Sequence, residues 1–114
     1  MDRFELRKFL DEEQALALKW RDDAAKALRE IEKLRGEFDE YVLSVGKSNL
    51  TDEEREQYKN MMQTLRDARD DRIFFEGVKK GMDAMAQPIR DRLAREELAN
   101  AGSWVPKIVK PRRR

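Results

Sequence analysis

The chain has 114 residues, with 25 Lys and Arg against 24 Asp and Glu, a formal net charge of +1. It contains no Cys and no His, which excludes disulfides, thiolate or imidazole metal sites, and the common Cys–His and Ser–His catalytic arrangements. Charged residues at 43%, with apolar residues at helical spacing, predict long solvent-laced helices within one domain rather than disorder.

Asp2 followed by Glu5 has capping-box spacing and predicts a helix start. The helix is expected to run over about 2–45, because Leu6, Leu10, Ala17, Trp20, Ala24, Ala27, Ile31, Leu34, Phe38, Tyr41 and Val45 follow alternating steps of three and four. Only Glu13 interrupts that series. Asp22 and Lys26 have the spacing of an outer ion pair. Such a rod cannot bury its own seam and needs a partner along its length.

A turn is predicted over 46–51. Gly46 suits the left-handed position after a helix end, and Thr51 with Glu54 forms a second capping box. Gly46-Lys47-Ser48 resembles the end of a P-loop, but Tyr41 stands where the earlier glycine is required, and a helix precedes it instead of a strand.

The second helix is expected over about 52–87. Tyr58, Met61, Leu65 and Ala68 make one seam; Phe75, Val78, Met82, Met85 and Ile89 make another in a shifted phase. The shift predicts a kink near 69–74, bridged by Arg66–Asp70 and Glu76–Lys80 pairs. Pro88 calls for a kink or a new start, giving a short third helix over about 88–99. Folding about residue 48 places residues whose numbers total roughly 96 opposite each other, so Phe38 meets Tyr58, Leu34 meets Met62 and Ile31 meets Leu65. Gly77 and Gly81 would form a flat groove for a bulky ring, with Trp20 the expected occupant.

The end far from the turn carries surplus apolar residues: Phe4, Phe9, Leu16 and Leu18 on the first helix, Ile73 and Phe74 on the second. Residues 73, 74 and 75 fan over about 200° of the helix, more than one facing helix covers. This base must bury a second face, against the 88–99 helix folded back and an external partner, or against a second copy.

Residues 101–114 hold five basic residues and no acidic ones, whereas the first 100 hold 20 basic and 24 acidic. Pro106 and Pro111 favour an extended tail. Two readings weigh equally: a frayed terminus, or a docking peptide with Trp104 as anchor and Lys107, Lys110, Arg112, Arg113 and Arg114 meeting an acidic surface or phosphates.

The fold class is therefore all-α: a long antiparallel, coiled-coil-like helical hairpin with an extended basic C-terminal tail. The adjacent carboxylates Asp22-Asp23, Asp70-Asp71 and Glu96-Glu97 diverge by about 100° on a helix and do not converge on one proton or metal. The reading is a non-enzymatic structural or assembly protein with no cofactor or small-molecule substrate. It would dock onto or bridge larger protein subunits, or self-associate, through Phe9, Leu16, Leu18, Ile73, Phe74 and the tail. By analogy of form it suits a phage or virus virion component. The alternative is a nucleic-acid-binding accessory protein acting through the tail, and a third reading is a regulator inserting its tip into an enzyme. No apolar run reaches membrane-spanning length, and the charged N-terminal segment is unlike a signal peptide, so a cytoplasmic or within-virion location is expected.

Overall fold

The structure, a computed structural model, describes residues 2–102. Two helices account for nearly all of it: α1 (Arg3–Val45) and α2 (Asp52–Gly102), antiparallel and joined by a single 3₁₀ turn, Lys47–Asn49. At 1.5 Å per residue they are about 65 and 75 Å long.

Local chemistry sets the ends. The Asp2 carboxylate accepts the Glu5 N–H at 2.8 Å and caps α1. At the tip Gly46 has φ +85°, and its N–H closes on the Val42 carbonyl. The Asn49 amide donates to the Val45 carbonyl at 2.7 Å, satisfying a second orphan acceptor. Thr51 and Glu54 cap α2 reciprocally: the Thr51 N–H donates to Glu54 at 2.9 Å, and the Glu54 N–H donates to the Thr51 hydroxyl at 3.1 Å. The N-cap at Asp2, the reciprocal capping box at Thr51 and Glu54, and the turn stand where the sequence places them.

The register also follows expectation. Phe38 stacks on Tyr58 with ring centroids 5.2 Å apart. Ile31 and Met62 pack on a buried cluster of Leu28, Leu65 and Ala68. Near the base a second cluster holds Leu10, Ala86 and Leu93, flanked by Leu6, Met82 and Ile89.

Three expectations are corrected. First, the α1 seam is rotated by one residue. Ala17, Ala24, Ile31, Phe38 and Val45 are buried or half-buried as expected, but the companion column is Gln14, Arg21, Leu28, Arg35 and Val42. Trp20, Leu34 and Tyr41 stand at 42%, 55% and 44% exposure, so Leu34 does not close on Met62 as a core pair. Second, α2 keeps one phase. Met61, Ala68, Phe75, Met82 and Ile89 repeat every seven residues without an error, so no change of supercoil is required at 69–74. Third, α2 continues through Pro88, and the expected third helix is its last stretch rather than a separate or back-folded element. Pro88 sits on an exposed face, where the carbonyl that loses its N–H partner can bind water.

The helix-surface pairs also differ. Asp22 accepts from Arg21 at 3.1 Å, Arg66 donates to Gln63 at 2.7 Å, and Glu76 pairs with Arg72 at 3.2 Å, in place of the partners Lys26, Asp70 and Lys80.

Candidate functional site

The shared seam is narrow, so each helix presents two flanks beside it, and the two flanks of the hairpin differ in chemistry. One is ionic. Asp11, Leu18, Ala25 and Glu32 recur every seven residues along α1; Arg69, Glu76, Asp83, Arg90 and Glu97 do so along α2. Across the hairpin Arg69 approaches Glu32 at 3.9 Å, and Arg90 donates to Asp11 at 2.6 Å. Gln14 bridges the two helices: its amide N–H donates to Asp83 at 2.8 Å and its oxygen accepts from Arg90 Nε at 2.8 Å. Arg7 pairs with Glu97 at the far end. The ammonium of Lys79 and the Gln14 amide hold the Asp83 carboxyl below its ordinary range, and Arg7 does the same for Glu97.

The opposite flank is apolar. Trp20 of α1 meets Phe75 of α2 with centroids 6.1 Å apart, and Phe74 lies edge-on to Phe75 at 5.1 Å. Phe9 and Leu16 join Trp20 here by helical spacing, as Val78 and Met85 join Phe74. Phe74 and Met85 remain 62% and 67% exposed.

The structure therefore divides the base residues singled out in the sequence. Phe9, Leu16 and Phe74 share the apolar flank. Leu18 falls in the column of Asp11 and Glu32, and Ile73 lies one turn from Arg69, so both sit toward the ionic side. Phe4 also falls in the Asp11 column. The glycine groove is not formed: a Cβ on Gly77 or Gly81 would meet nothing within 4 Å, and Trp20 lies on Phe75 instead. The tail residues Trp104, Lys107, Lys110, Arg112, Arg113 and Arg114 lie outside the described residues.

Sequence reasoning missed the cross-hairpin network of Gln14, Asp83 and Arg90, and it placed Val78 and Met85 in the seam. The column Leu65, Arg72, Lys79, Ala86 and Leu93, apolar at three of its five positions, was the signal that assigns them outside it.

An open groove at the tip, about 770 Å³, is lined by Val42, Leu43, Leu50 and Tyr58 among others. Among the described residues no cluster of three or more Asp and Glu is arranged to hold a metal ion, and no helix is long and apolar enough to cross a membrane. Comparison with protein-family models, curated proteins and solved structures finds no match for this chain.

Proposed function

We propose that this chain is a non-enzymatic structural protein that assembles with other protein subunits through the apolar flank at the base of its hairpin. One observation carries the reading: Phe74 and Met85 remain 62% and 67% exposed on the same flank as Trp20, Phe9 and Leu16, outside the seam that the two helices share. Large apolar side chains gathered and exposed on one face mark a protein-binding surface. The lack of His and Cys supports a role without covalent or imidazole chemistry. A virion or another large particle is the proposed setting, by analogy of form alone. The basic tail is proposed as a second contact, with Trp104 as its anchor.

The test is sedimentation of the native assembly containing the wild-type chain or Phe74→Glu, matched for helicity by circular dichroism. The substituted chain should stay with the light fractions. Unchanged co-sedimentation would overturn the reading.

A further inference from the structure

The apolar flank is bounded in a way that specifies its occupant. On α2 the residues along it are Phe74, Val78, Gly81, Met85 and Pro88, spaced in alternating steps of four and three. That spacing is a second coiled-coil seam, so it calls for a helix rather than a loop or a flat sheet. The stripe is also closed by charge. Asp67 and Asp71 precede it, and Arg92 and Arg95 follow it.

The sequence of that stripe is self-complementary when read in the opposite direction. An antiparallel copy centred on Gly81 sets Asp71 against Arg92 and Asp67 against Arg95, with Val78 against Met85 and Phe74 against Pro88. A two-fold interface requires such reciprocity, because each residue pair must occur twice. Gly81 lies on the axis, where the missing side chain and the open space around it let two helices approach closely.

α1 supplies an independent check. The hairpin register places Gly81 beside the stretch between Glu13 and Leu16, and the same two-fold axis then sets Phe9 against Trp20 of the second copy. Two stripes, one on each helix, thus share one centre. The reverse choice, two copies side by side in the same direction, sets the acidic positions Asp23 and Glu30 against Asp71 and Asp67, which repel.

The area is also of the right order. Scaling the exposed fractions of Phe9, Leu16, Trp20, Phe74 and Met85 by side-chain areas of roughly 150–250 Å² gives on the order of 500 Å² per copy. Val78, Pro88 and the bounding charges bring this toward the roughly 800 Å² per partner of a standard interface.

We infer that the apolar flank binds a second copy of this chain, forming an antiparallel two-fold four-helix bundle centred on Gly81. This rests on the reading of the base as an assembly surface and names its first partner. The dimer carries its tips outward in opposite directions, each about 50 Å from the axis at 1.5 Å per residue. That geometry suits a bridge between two larger subunits. Within the two stripes Glu13 is the charge nearest the centre; its long side chain must reach the rim, which keeps the association dependent on concentration.

The test is the mass of the full chain by sedimentation equilibrium from micromolar to near-millimolar concentration. A two-chain mass is expected at the upper end. Asp71→Arg alone and Arg92→Asp alone should each weaken the dimer about tenfold, since each change acts at two symmetric sites. The double variant should recover most of the loss. Gly81→Cys, in a chain with no other Cys, should give a disulfide-linked dimer on oxidation, while Leu43→Cys at the tip should not. A monomer at every concentration, or a dimer that ignores both the charge swap and the Gly81→Cys cross-link, overturns the inference. If self-association fails while Phe74→Glu still removes the chain from its native assembly, the second copy is the wrong occupant and the docking surface stands. If Phe74→Glu changes neither, both fall.

Discussion

The ring of Phe38 lies on that of Tyr58 at 5.2 Å and 28° between planes, the one stacked pair that bridges the two helices. It fixes the register just below the turn, and every cross-hairpin contact further down inherits that alignment. A double-mutant cycle of Phe38→Ala and Tyr58→Ala should show a coupling of about 1 kcal/mol beyond the two single losses. Thermal melts at matched concentration measure it, and strictly additive losses would mean the stack does not set the register.

Leu65 is fully buried between Leu28, Ala68 and Ile31, in a core of few residues. Leu65→Ala should cost about 3 kcal/mol, because two slender helices can close only part of the space left behind. Leu43→Ala, at an 85% exposed site, should leave the midpoint within about 0.5 kcal/mol. Urea denaturation of both variants checks the contrast.

Arg35 occupies a seam position in α1, and its Nε is buried with no hydrogen-bond partner; Asp39 stands 3.7 Å away. An unsatisfied buried donor opposes folding. Arg35→Leu should therefore raise stability by about 1 kcal/mol. A lower melting temperature for this variant would show that the guanidinium is satisfied in solution.

Acid should loosen both the caps and the polar contacts between the helices. Asp2 is held below its ordinary value by the Glu5 N–H, and Glu54 by the Thr51 N–H and then the Tyr41 hydroxyl; Asp83 and Glu97 are lowered by Lys79 and Arg7. For a carboxylate depressed on folding, the stabilisation is complete above its unfolded value and disappears as pH falls through the folded one. The melting temperature should be flat just above about pH 5 and decline below about pH 4. Glu54→Gln should blunt that decline. At the alkaline end the bond to Glu54 raises the Tyr41 phenol, so its contribution is present below about pH 10 and lost above it.

Pro88 stands inside α2, with no N–H for the fourth carbonyl before it. Pro88→Ala should add helix content and stabilise the isolated chain by about 1–3 kcal/mol. Circular dichroism with thermal melts measures both.

Much of the fold was legible because caps and turns are local. Asp2, Gly46, Thr51 and Glu54 each act on atoms a few residues away, and the register follows from a short turn. The seam was half legible. Ala17, Ala24, Ile31, Phe38 and Val45 are what an apolar repeat reveals. Their companions Gln14, Arg21 and Arg35 are not, since long side chains line a seam with their stems and extend their polar heads to its edge. Trp20, Ala27, Leu34 and Tyr41 outweigh them in any apolar count, so the stripe read from hydrophobicity lies one residue toward the apolar flank. Arg72 and Lys79 did the same in α2, hiding a continuous repeat behind an apparent change of phase. The split of Phe9, Leu16 and Phe74 from Leu18 and Ile73 depended on that rotation, and so was out of reach.

The pairing of α1 with α2 is nested about the turn, and this bears on the order of folding. Contacts near Gly46 close a short loop, whereas Gln14 and Arg90 lie 76 positions apart. Once Phe38 and Tyr58 meet, each further pair closes only a small additional loop, so the helices can zip from tip to base at little entropic cost per step. Damage near the tip should therefore slow folding, while damage among Leu10, Ala86 and Leu93 should mainly hasten unfolding. The aromatic part of the exposed flank lies beyond Phe38, Ile31 and Leu28 on that path, so Trp20, Phe74 and Phe75 come together only after the tip half of the hairpin is in place.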